Sequence, residues 1–176
     1  MIHRTHGIAV LLAMLAAGLT ACATAPASAA DPAAAPAAAP PADVVTTIDP
    51  TLEQPSGLSR IEKIRFEEMS TNLKEAADLV NGGENPTFAC VSVLVHAESD
   101  SADALAGAAT KATEQCGREI PIAWADHQLD AVAATGDVTR SIGECATAMV
   151  SLDQVTKRFQ DPRVDQLRAR AAELCS

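Results

Sequence analysis

Between residues 138 and 159 the apolar side chains return at steps of four and three: Val138, Ile142, Cys145, Met149, Leu152 and, past a soft Thr156, Phe159. At 3.6 residues per turn that spacing lays them along one stripe of an α-helix, whereas in a strand they would fall on both faces. Asp161-Pro162 follows, a side-chain cap and then a proline in the first turn, where its missing N–H costs nothing. Val164, Leu167, Ala171 and Leu174 then resume a three-four-three spacing. The chain from 138 to its end therefore reads as helix, tight turn, helix.

The remaining segments point the same way. Ser59-Arg60-Ile61-Glu62 has the pattern of a capping box. Leu58, Ile61, Ile64, Met69, Leu73, Ala76 and Val80 behind it can share one broad face, ended by Gly82-Gly83. Ala102 to Cys116 aligns Leu105, Ala109, Ala112 and Cys116. Pro121 to Thr135 aligns Ile122, Ala125, Leu129 and Val132, with Gly136 as the stop. Phe88 to Ala97 is ambiguous, since Ala89, Val91, Val93, Val95 and Ala97 alternate as a buried strand would. No second strand is available to satisfy its backbone groups, so it is read as helix. With three Phe, one Trp and no Tyr, the core must come from alanine and aliphatic residues on closely approaching helices. The expected fold is an all-α, alanine-rich bundle of about five to six helices over residues 56–176.

Four cysteines, Cys90, Cys116, Cys145 and Cys175, fall in this domain. In a chain that is exported, an even number would point to disulfides, with three connectivities open to four cysteines. Two antiparallel helices can be bridged where both arms stand equally far from their turn. The midpoint of Cys145 and Cys175 is residue 160, beside Asp161-Pro162, and that of Cys90 and Cys116 is residue 103, close to Ser99-Asp100-Ser101. Both pairs therefore staple a helical hairpin. Joining Cys116 to Cys145 would straddle the middle of the Ile122–Val132 helix. Zinc is not expected, because no closely spaced C-x-x-C pair occurs, and neither is a catalytic thiol, for want of a positioned base.

Ahead of the domain, residues 23–55 are dominated by Ala and Pro and carry seven of the ten prolines. Recurrent proline breaks the helix that alanine favours, so the stretch reads as an extended tether reaching roughly 100 Å at most. The domain is expected to fold without it, apart from light docking by Val44, Val45 and Ile48.

Further back, Arg4 between His3 and His6 forms a short basic region, and Gly7 to Leu19 is an uncharged apolar run, short for a permanent membrane span. Leu19-Thr20-Ala21-Cys22 closes it. The arrangement resembles the signal peptide and lipobox of bacterial lipoproteins. The resemblance implies cleavage after Ala21, lipid on Cys22, and residues 22–55 as a lipidated tether. It covers only the first 22 residues and says nothing of the domain. Several acyl chains make durable anchoring where one is marginal. Ala23 stands where an Asp would resemble an inner-membrane retention signal, which leans the reading towards the outer membrane, facing the periplasm. Ala27-Ser28-Ala29 offers ordinary signal cleavage near Ala29 as the alternative, releasing a soluble periplasmic protein.

The net charge is −10. From Glu75 to Asp137 eleven carboxylates are opposed only by Lys111 and Arg118. Lys157, Arg158, Arg163, Arg168 and Arg170 then make the C-terminal hairpin basic; it could contact that acidic middle, and the acidic charge reads first as serving solubility alone. An acidic body excludes nucleic acid as partner, whose phosphates need a basic patch, and would steer a cationic protein towards it. His96 and His127 are the only domain histidines. Asp126, His127 and Asp130 could sit together on one helix face, a pattern more often solvated surface than site. None of the hydrolase, metalloprotease or phosphate-loop signatures occurs. No enzyme, metal or cofactor is expected. The leading expectation is a non-enzymatic binding or adaptor module anchored to the membrane by its lipid. The alternative is an inhibitor or immunity protein against a periplasmic cell-wall-degrading enzyme or toxin.

Overall fold

In a computed structural model of the protein, residues 44, 46, 48–99, 103–137 and 139–176 are described, and every regular element among them is helical. The helices are α1 (Arg60–Asn81), α2 (Thr87–Ser99), α3 (Ala106–Glu114), α4 (Ile120–Thr135), α5 (Ile142–Thr156) and α6 (Pro162–Leu174). A short 3₁₀ turn at Asp103–Leu105 leads into α3, and a π-helical segment at Gln115–Glu119 joins α3 to α4. The apolar segment, Leu19-Thr20-Ala21-Cys22, Val45 and Val138 lie outside the described residues. None of the described helices is long and apolar enough to cross a membrane.

Local chemistry explains the helix ends. The Ser59 backbone N–H donates to the Glu62 carboxylate at 2.6 Å, and the Glu62 N–H donates back to the Ser59 hydroxyl at 3.3 Å, completing the capping box on α1. The same helix closes with the Glu84 N–H on the Leu79 carbonyl at 2.8 Å and the Gly83 N–H on the Val80 carbonyl at 3.1 Å. This Schellman arrangement needs a left-handed residue, and Gly83 supplies it at φ +74°. Asp161 caps α6 by accepting from the Arg163 N–H at 2.9 Å, with Pro162 in the first turn.

The ambiguous segment around Phe88–Ala97 is helix. In α2 the inward residues are Ala89, Cys90 and Val93, while Phe88, Val91 and Val95 face out. A β-like alternation thus splits between two faces of one helix, because α2 has α1 and the α3–π unit to pack against and no strand to pair with.

Two expected faces are corrected. Ile61 and Ile64 on α1 are exposed, and the buried row is Phe66, Met69, Leu73, Ala76, Ala77 and Val80. On α5, Ile142 is 63% exposed and Met149 37%. The buried row is Cys145, Ala148, Ser151, Leu152 and Val155. Two adjacent rows of α5 are apolar, and the one carrying the small Ala148 faces α4, the helix it contacts most. A small residue at that contact brings the two helices close, which buries more surface than Met149 would.

The two helical segments expected at Ala102–Cys116 and Pro121–Thr135 are joined. The helix runs from Ala106 to Thr135 without interruption through the π segment. Proline has no N–H and its ring collides with the preceding turn of an α-helix. A π turn widens that stretch, with the Ile120 N–H reaching back to the Gln115 carbonyl. Leu105, Ala108 and Ala112 before the π turn, Cys116 in it, and Ile120 and Trp124 beyond it join a core built with α1 and α2. Ile122, Ala125 and Leu129 join a second core built with α5 and α6. One long helix thereby serves two hairpins.

Residues ahead of 56 are part of this packing. Leu52 is buried in the first core with Ile48 against it, and Val44 packs on the second. The Asp49 N–H donates to Gln115 Oε1 at 3.0 Å, and its carboxylate accepts from Lys111 Nζ at 2.6 Å. That bond to Lys111 is the main reason the Asp49 carboxyl is held down at about 2. The segment expected as the end of a free tether is a strap across α3 and the π turn, beyond the light docking foreseen for Val44 and Ile48.

Candidate functional site

Cys145, near the start of α5, and Cys175, at the end of α6, are joined by a disulfide with Cα atoms 6.0 Å apart, closing the hairpin at its open end. Cys90 on α2 and Cys116 in the π segment are both buried in one apolar cluster and stand as thiols. The geometry thus brings together both pairs expected from the midpoints. Lipid on Cys22 concerns a residue outside those described.

The carboxylates expected near His127 are engaged elsewhere. Asp126 accepts from Arg170 Nη1 and Asp130 from Arg170 Nη2, each at 2.6 Å. The His127 ring stacks on Trp124 with centroids 5.7 Å apart and planes 14° from parallel. Its edge lies so close to Gly83 that a Cβ there would stand 2.8 Å from Nε2. An open groove lined by Thr46, Asn81, Asp126, His127 and Asp130 passes this point. Its acids are bound to a guanidinium and its imidazole lies in a stack. His96 lies 3.7 Å from the Glu68 carboxylate at the α1–α2 contact. Among the described residues no group of three or more His, Cys, Asp and Glu side chains is placed to hold a metal ion.

The densest charge cluster surrounds the π segment, and it was not foreseen as a unit. Glu119, buried, accepts from Arg163 Nη1 and Nη2 at 2.8 Å each and from Arg118 Nε at 2.9 Å. Asp161 accepts from Arg163 Nη2 at 2.6 Å. Arg118 also pairs with Glu114, and its guanidinium lies 5.6 Å from the centre of the Phe159 ring. The hydrogen bonds from Arg163 hold both the Glu119 and the Asp161 carboxyls below their ordinary range, and burial only partly opposes this. The two carboxylates in turn push the Arg163 guanidinium up. Phe159 roofs the cluster by lying on Gly117, where a Cβ would come 2.9 Å from the ring.

These contacts ionically zip the basic C-terminal hairpin to the acidic middle of the chain. Arg158 pairs with Glu98 at 2.6 Å, Arg163 with Glu119, and Arg170 with Asp126 and Asp130. The only sequence hint was the opposed charge of the two regions. Every hydrogen-bonding group named in the cluster has a partner, so the arrangement is built to hold α6 against the π turn.

Fold and site together define a small all-α domain with a disulfide-closed C-terminal hairpin and a strap at its N-terminal side. Against known protein families, curated proteins and solved structures, the chain finds no match.

Proposed function

We propose that the chain is a non-enzymatic lipoprotein of the bacterial envelope, a helical binding or adaptor module anchored through lipid on Cys22 at the outer membrane and facing the periplasm. One observation carries the binding role. Phe88, Val91 and Val95 form an outward apolar row on α2, and Phe88 is 84% exposed. Positions i, i+3 and i+7 share one helix face, the register in which a helix offers anchors to a partner. Exposed large apolar residues scattered singly are ordinary, but an aligned row on a helix packed behind is a docking feature. The neighbouring ion pairs are spent on holding the fold, whereas this row stands exposed.

The inhibitor or immunity reading rests on acidic character. It draws less support, because Glu98, Glu119, Asp126 and Asp130 already face arginines of the same chain.

Two measurements test the proposal. Fatty-acid labelling should mark the wild type and not Cys22→Ser, which should leave the detergent phase; normal partitioning of that variant defeats the anchor. The domain from residue 44 onward, immobilised and exposed to periplasmic extract, should retain an envelope-assembly component that Phe88→Glu loses. Retention and inhibition of a cell-wall hydrolase would favour the second reading. Capture indifferent to Phe88→Glu would remove the α2 row as the docking surface.

A further inference from the structure

Cys90 and Cys116 are buried thiols of the core that take no part in the ion pairs described above. Cys90 lies on the inner face of α2 between Ala89 and Val93, and Cys116 is 2% exposed in the π segment. Both belong to one apolar cluster with Leu105, Ala112 and Ile120. Small alanines on both sides let α2 approach the π turn closely, and the two thiols meet there. A metal role lacks a third donor in reach among the described residues. A nucleophile needs an accessible, easily ionised thiol. The Cys90 thiol is instead pushed far up, first by its hydrogen bond to Cys116 and then by burial.

We propose that Cys90 and Cys116 form the protein's second covalent cross-link, a disulfide made on export that ties α2 to the π turn. The step rests on the exported reading, since it needs an oxidising compartment. The oxidant is a donor disulfide of the thiol–disulfide oxidoreductase class. One cysteine, as thiolate, attacks a sulfur of the donor disulfide, forming a mixed disulfide and expelling the donor's other sulfur as thiolate. The second cysteine thiolate then attacks this chain's sulfur in the mixed disulfide and expels the donor's remaining thiolate. Two protons leave the cysteines and two electrons end on the donor, now a dithiol.

Burial sets the order of events. Once α2 is packed, the thiols are shielded and hard to ionise, so exchange takes place while α2 is still apart from the π turn. The bond then fixes the helix that carries Phe88 and Val91, the neighbours of Cys90. With Cys145–Cys175 already joining α5 to α6, each half of the domain gains one staple.

The full chain, recovered from the envelope of cells producing it and alkylated at lysis, is digested without reduction and mapped by mass spectrometry. The expected result is a Cys90–Cys116 peptide pair lighter by two hydrogens than the two thiol peptides, beside a Cys145–Cys175 pair. In Cys90→Ser, Cys116 should become alkylatable on denaturation. Cys145–Cys175 linked while Cys90 and Cys116 both alkylate in denaturant overturns the cross-link and leaves the exported reading standing. All four alkylated overturns both. A peptide joining Cys90 to Cys145 or Cys175 overturns the pairing.

Discussion

Arg163, in the first turn of α6, closes on Glu119 in the π segment through two parallel hydrogen bonds of 2.8 Å, spanning 44 residues of sequence. The fork of the guanidinium matches both carboxylate oxygens, and the carboxylate is buried. Removing one partner therefore costs more than the pair contributes, because it strands the other charge.

Arg163→Met should destabilise the domain by about 3 kcal/mol at neutral pH, measured by urea unfolding. Adding Glu119→Gln should recover part of that loss. The pH dependence has a definite sign. A carboxyl with a depressed folded pKa contributes stability that is present above its unfolded pKa of about 4 and lost as pH falls through the folded value. Glu119 and Asp161 are both of this kind. The gap between wild type and Arg163→Met should therefore narrow below about pH 4. A gap unchanged down to that acidity would contradict the assignment.

Gly117→Ala should cost about 2 kcal/mol, because the new methyl meets the Phe159 ring and the overpacked contact must open. In a Phe159→Leu background the same substitution should cost clearly less. Equal costs in both backgrounds, from denaturant curves, would show that the two sites are independent.

Leu52→Ala should lower stability by about 3 kcal/mol, the range for truncating a buried leucine. A chain beginning at Ser56 should melt well below one beginning at Val44, since it loses Leu52, the Ile48 contact and the Asp49 bonds to Gln115 and Lys111. Calorimetry giving equal melting temperatures would demote the strap to decoration.

Replacing both Cys145 and Cys175 with Ala should cost about 3.5 kcal/mol, the chain-entropy value for a loop of this size. Hydrogen exchange should quicken in α5 and α6 more than in α1. Uniform acceleration across the domain would place the bond's effect elsewhere.

The helices, their caps and the pairing of Cys145 with Cys175 by distance from a turn were legible from residue order alone. Each depends on neighbours three or four positions apart or on equal arms about one turn. Ser59 with Glu62, Asp161 with Pro162, and Cys145 with Cys175 are examples. The tertiary structure decided what such spacing leaves degenerate. On α5 two adjacent rows were apolar, and only the close approach of α4 chose Ala148 and Val155 over Ile142 and Met149. Ala102–Cys116 and Pro121–Thr135 read as separate segments, yet a π turn carries the helix past Pro121, and one continuous helix feeds both cores. Leu52 sat among prolines that mark a linker, and its burial comes from a groove formed by residues far along the chain. The pairing of Arg163 with Glu119 likewise required the whole bundle: opposite charge attracts at long range, but only the packed helices specify which guanidinium meets which carboxylate.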